Sequence, residues 1–122
     1  MDESARTVLI VDDDTQILRL VEKMLKSRQF RILVSPRPTE ALEICEREPV
    51  HLMISDIAMP EMDGRKLAQR VRELRPETAI LLISGHYRDE PRNLNQDRLK
   101  FLKKPFFPSD LMQALRDLVP DL

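Results

Sequence analysis

Three carboxylates in a row, Asp12, Asp13 and Asp14, follow the apolar run VLIV at positions 8–11. A fourth, Asp56, follows LMIS, the hydroxyl of Ser84 closes AILLIS, and the amine of Lys104 follows KFLK. Two like charges about 4 Å apart repel by roughly 4 kcal/mol at an effective dielectric of about 20. Such an acidic cluster needs a cation, a lysine or open water. Carboxylates beside a hydroxyl and an amine suit a hard divalent cation next to a phosphate, because Mg²⁺ is usually held by one or two carboxylates together with water and phosphate oxygens. In that setting a carboxylate can act as a nucleophile toward phosphorus and form an acyl phosphate. Phosphoryl transfer asks mainly for positioning and for cancellation of charge on the transferred oxygens. Spacing alone leaves open which of the acids would do this.

The elements that must position these groups are short apolar runs alternating with stretches of helical period. Strands are expected at 7–11, 30–34, 51–55, 79–84 and 99–103. Helix stripes fall at Ile17, Leu18, Val21, Met24 and Leu25, at Ala41, Leu42 and Cys45, at Leu67, Val71 and Leu74, and at Leu111, Leu115 and Leu118. The runs VLIV, HLMIS and AILLIS are almost continuously apolar, as expected of parallel strands covered by helices on both faces. Right-handed crossovers then give a doubly wound α/β fold, whose ligands sit at the carboxyl ends of the strands. Every group singled out above lies at that edge. Residues 87–98, YRDEPRNLNQDR, stand where a fourth crossover helix belongs. They hold Leu94 as their one aliphatic residue and are interrupted by Pro91, so an irregular or mobile crossover is expected there.

The 122 residues fit one domain, and residues 1–6 are expected to be a flexible N-terminal extension. With 42% hydrophobic and 34% charged residues the chain reads as a soluble globular protein, and no apolar run approaches the roughly 18 residues of a membrane span. Twenty basic against 21 acidic residues leave a net charge of -1, which offers no general attraction for nucleic acid or anionic lipid. The polar start MDESAR has no apolar core of a secretory signal. The single Cys45 rules out an internal disulfide and fits a reducing cytoplasm.

Four pieces taken in order, VLIVDDD, SDIAMPEMDG with its D-x-x-M-P-x-M-D-G spacing, LLISG and FLKKPF, resemble the receiver domains of bacterial two-component response regulators over almost the whole chain. The resemblance implies a flavodoxin-like five-stranded parallel sheet of order 2-1-3-4-5. It makes Asp56 the phosphoacceptor, supplied by a sensor histidine kinase or a histidine phosphotransfer protein. Mg²⁺, with Mn²⁺ as a substitute, would be ligated by Asp13, by Asp56, by the backbone carbonyl of Ala58 and, through water, by Asp12. Asp14 would be a solvent-facing neighbour. Ser84 and Lys104 would each hold a phosphoryl oxygen, a cis Lys104–Pro105 bond would aim the amine inward, and Gly85 would leave space for the phosphoryl group. Ser84 and Phe101 would be the switch residues. The output would be a surface read by a downstream protein or by a second copy in a homodimer, without direct nucleic-acid contact or membrane insertion. No turnover of a separate substrate is expected, beyond the chain's own phosphorylation and dephosphorylation. Since the chain ends at Leu122, soon after the last helix stripe, no DNA-binding or enzymatic output domain is expected, and the chain reads equally as a stand-alone regulator or as a receiver excised from a longer protein such as a hybrid kinase.

Blander readings stand beside these. Asp14 or Thr15 could simply cap the first helix, Gly64 could mark a turn, Cys45 is expected in the core, His51 at a strand start is a capping or surface residue, and Phe106 and Phe107 are expected to pack under the last helix. His86, two residues after Ser84, is read as affecting water access to the site. Arg88, Arg92, Arg98, Lys100 and Lys103 read as a solvated face. One rival function is a small Mg²⁺-dependent phosphatase with Asp12 as nucleophile and Asp14 as acid. Against it, Thr15 comes one position early for D-x-D-x-T, and no late acidic pair or cap domain follows. Another is a degenerate receiver that only binds partners, which the intact Asp13, Asp56, Ser84 and Lys104 argue against.

Overall fold

The computed structural model describes residues 6–26, 30–85 and 98–120. Five strands, β1 (Arg6–Val11), β2 (Phe30–Ser35), β3 (Leu52–Asp56), β4 (Ala79–Ser84) and β5 (Leu99–Lys103), form one sheet in the order β2-β1-β3-β4-β5 with every pair parallel. Helices α1 (Thr15–Leu25), α2 (Pro38–Arg47), α3 (Gly64–Leu74) and α4 (Pro108–Leu118) complete the described elements. The parallel direction is what the continuous apolar runs predict, and the order is the one the resemblance implies. Arg6, expected in the N-terminal extension, instead belongs to β1 and pairs with Phe30. The expected irregular crossover lies outside the described residues, apart from Arg98, which adopts a left-handed backbone with φ 63°.

Alternation along the strands sorts the core into two layers. Val8, Ile10, Leu52, Ile54, Leu81 and Ile83 face α1 and α4, whose Leu18, Val21, Leu25, Leu111 and Leu115 are buried against them. Leu9, Val11, Met53, Ile80 and Leu82 face α2 and α3 through Ala41, Cys45, Leu67 and Val71. Fully burying one such Leu, Ile or Val contributes about 1.5–3 kcal/mol, and the sum offsets the cost of holding acids at the edge of the same sheet. Cys45 is a core residue as expected, and burial pushes its thiol up to about 11, which keeps it protonated. Two expected apolar contacts are corrected. Leu74 is 42% exposed because α3 ends there, and Phe107 is 74% exposed while Phe106 packs on the α1/α4 layer.

Helix starts follow from side-chain caps. Asp14 accepts the backbone N–H of Gln16 at 2.9 Å and caps α1, and Asp63 accepts that of Arg65 at 2.7 Å and caps α3. Pro38 and Pro108 sit at first-turn positions, where a missing N–H costs nothing. His51 is exposed, and its Nδ1 accepts the N–H of Thr7 at 2.9 Å, a capping contact at the edge far from the acids.

Candidate functional site

β1 ends at Val11, so Asp12 and Asp13 leave the sheet beside the end of β3, where Asp56 is the last strand residue. One oxygen from each of Asp12, Asp13 and Asp56 lies within 4.8 Å of the others. The three acids predicted to meet do so. Asp14 is turned to its capping role and is solvent-exposed, which removes the acid that the phosphatase reading requires.

Burial differs sharply within the trio. Asp12 is 2% exposed and Asp56 7%, while Asp13 is exposed. Burial pushes the Asp12 carboxyl up to about 6; the N–H of Asp14, donated to its Oδ1 at 2.9 Å, pulls the other way, and the neighbouring Asp56 adds to the rise. Its Oδ2 is buried and has no hydrogen-bond partner among the described residues. An unpartnered buried carboxylate oxygen within reach of two further carboxylates is what a hard cation would satisfy, so the residues present fit a Mg²⁺ site.

Asp56 is raised too, again chiefly by burial, and is held back by Lys104, whose Nζ lies 3.3 Å from its Oδ1. The amine reaches inward from the end of β5, where Lys104–Pro105 is cis, as the sequence reading expects, and the Lys104 N–H is donated to the Ser84 carbonyl at 2.8 Å. Ser84 is 1% exposed at the end of β4, and a Cβ built on Gly85 would meet nothing within 4 Å. Phe101 is half-buried on β5 beside Leu82 and packs against the α2/α3 layer. The exposed Ala58 lies in the loop between β3 and α3, and the Gly64 N–H closes that loop onto the Ile57 carbonyl at 2.8 Å. His86 lies outside the described residues. Ser55, which the sequence does not single out, is fully buried directly beneath Asp56 and donates its hydroxyl to the Asp56 carbonyl at 2.9 Å.

Fold and site define a class: a doubly wound α/β domain with an acidic, cation-fitting pocket at the carboxyl edge of its sheet, next to a buried carboxylate paired with a lysine. The family model for the response regulator receiver domain matches residues 8–116, and the chain belongs to that family, a receiver of two-component signal transduction. It is 31% identical over 121 residues to the response regulator receiver protein CpdR of Brucella abortus, covering 93% of this chain and 97% of CpdR. It is 33% identical over 117 residues to the sensor kinase CckA of the same organism, covering 93% of this chain but 12% of CckA. It spans about a quarter of the transcriptional regulators it matches. Among solved structures, chemotaxis protein CheY4 of Vibrio cholerae is similar with a TM-score of 0.83 and 25% identity, over 95% of this chain and 100% of that one.

Proposed function

We propose that this receiver takes a phosphoryl group from the phosphohistidine of a sensor histidine kinase or histidine phosphotransfer protein onto Asp56, and that the change alters a surface read by a downstream protein. The observation that carries this reading is the buried Asp56 carboxylate, 3.3 Å from the Lys104 amine and grouped with Asp12 and Asp13. Burial raises the Asp56 carboxyl, and the Lys104 amine opposes that rise and so favours the ionised form that attacks. An Asp56 oxygen then bonds to phosphorus as the phosphorus–nitrogen bond of the donor imidazole breaks, and the electron pair returns to the imidazole nitrogen. Lys104 and the Ser84 hydroxyl would hold phosphoryl oxygens. Asp13, Asp56 and the Ala58 carbonyl would hold Mg²⁺ directly, and Asp12 through water. Bound Mg²⁺ cancels charge on the carboxylates and the transferred oxygens.

The chain's own phosphorylation and dephosphorylation would be its chemistry, in the cytoplasm, with no separate substrate turned over. Incubated with Mg²⁺ and a small phosphodonor, the protein should gain one phosphoryl mass, and Asp56→Asn should gain none. Labelling of that variant at wild-type yield would end the reading.

A further inference from the structure

The carbonyl of Asp56 occupies an unusual position in the sheet. Val11↔Ser55 is the last pair between β1 and β3, so beyond Ser55 the chain of β1 has already turned away to place Asp12 and Asp13. The next amide along β3, that of Ile57, is donated to Ile83 of β4 at 3.0 Å. The Asp56 carbonyl therefore lies past the end of the β1–β3 ladder, in a buried place where an acceptor needs a donor. The Ser55 hydroxyl supplies one at 2.9 Å. From the far side Gly64 closes on the same oxygen: a Cβ there would stand 2.2 Å from it.

We infer that Ser55 is a positioning residue of the site. By holding the Asp56 carbonyl against the start of α3, its hydroxyl fixes the peptide between Asp56 and Ile57. That peptide sets both the aim of the Asp56 carboxylate and the path of the chain to the Ala58 carbonyl. Ser55 is fully buried, and the one hydrogen bond its side chain makes among the described residues is to that carbonyl, so it acts on the site through Asp56. The inference rests on the phosphoacceptor reading of Asp56 and adds a residue to it.

The test is a Mg²⁺ titration of the full chain, followed through the amide resonances of Ile57 and Ala58, beside thermal unfolding of the metal-free protein and the rate of labelling by a small phosphodonor. Ser55→Ala should weaken Mg²⁺ binding by about tenfold, the range seen when a residue that orients a metal ligand is lost, and should slow labelling. Ser55→Cys, a weaker donor of similar size, should fall between. Thr78→Val is the control: Thr78 donates to the Val50 carbonyl at 2.6 Å, equally buried but at the opposite edge of the sheet. It should lower the unfolding temperature and leave Mg²⁺ affinity unchanged. Wild-type Mg²⁺ affinity in both Ser55 variants would overturn the inference while leaving the phosphoacceptor reading intact. Unfolding of both would overturn it too, by showing that the hydroxyl holds the core. A wild-type chain that bound no Mg²⁺ and took no phosphoryl group would defeat the underlying reading instead.

Discussion

The acids of the site and its amine are carried by parts of the sheet that are built differently. Asp12, Asp13 and Asp56 leave β1 and β3, two central strands in which every residue from Thr7 to Val11 and from Leu52 to Asp56 is buried. Lys104 leaves β5, an edge strand whose five residues are half-buried or exposed. The central half is fixed: its turns are closed by the Asp14 and Asp63 caps, the Gly64 contact and the Ser55 bond. The edge half is held by the ion pair of Lys100 with Asp117 at 2.9 Å and by the bond of Lys104 to Ser84. Repulsion among the acids is thus stored in the stiff half. The group that answers it, and the half-buried Phe101, sit where packing is thinner and a shift costs less.

Breaking the stiff half should have the largest effects. Asp56→Asn should abolish labelling altogether, read by intact mass. Gly64→Ala puts a Cβ 2.2 Å from the Asp56 carbonyl oxygen and 2.8 Å from the Ile57 Cα, so a shift of backbone is forced. About 3 kcal/mol of stability should be lost in denaturant titration, together with Mg²⁺ affinity. A variant as stable as wild type would show that the α3 start is loose.

The next effect is one of pH. Burial holds the Asp12 carboxyl at about 6 in the fold against 3.8 in a model peptide. The native state therefore binds the extra proton across that window, and metal-free stability should fall as pH rises through it, by on the order of 2–3 kcal/mol. The raised Asp56 acts in the same direction. Unfolding without divalent cations should thus come at higher temperature near pH 5 than near pH 7.5, and Mg²⁺ should restore stability at the higher pH. Equal stability at both values would mean that Asp12 is better solvated than its burial implies.

At the edge, Phe101→Ala should cost about 1–2 kcal/mol, below the roughly 2–5 of a fully buried large side chain such as Met53, because Phe101 is only half-buried. Phe107→Ala, at 74% exposure, should stay within about 0.5 kcal/mol. Costs in the reverse order would erase the distinction between the two halves.

How much of this the sequence carries depends on the range of the interaction. VLIV, LMIS and AILLIS announce buried parallel strands because continuous apolar runs have few other uses, and the four motifs place Asp12, Asp13, Asp56 and Lys104 at one edge. Ser55 is silent in the sequence: its role exists only because β1 stops pairing at Val11 one residue before β3 ends. Gly64 reads as a turn, whereas the structure needs it for a close approach of backbone to backbone. Phe107 reads as core because it is aromatic and next to Phe106. At the N-cap of α4 it faces outward, and its N–H is bonded by Asp110 at 2.9 Å.

The central claim is an acyl phosphate on one carboxylate, and borohydride trapping tests it most directly. Reduction of the labelled protein converts a phosphorylated aspartate to homoserine, which peptide mass spectrometry locates. The account predicts homoserine at position 56, only after incubation with Mg²⁺ and a phosphodonor, and none when the cation is chelated. Conversion at another aspartate, or a phosphoryl group that resists reduction because it sits on another kind of side chain, would contradict it.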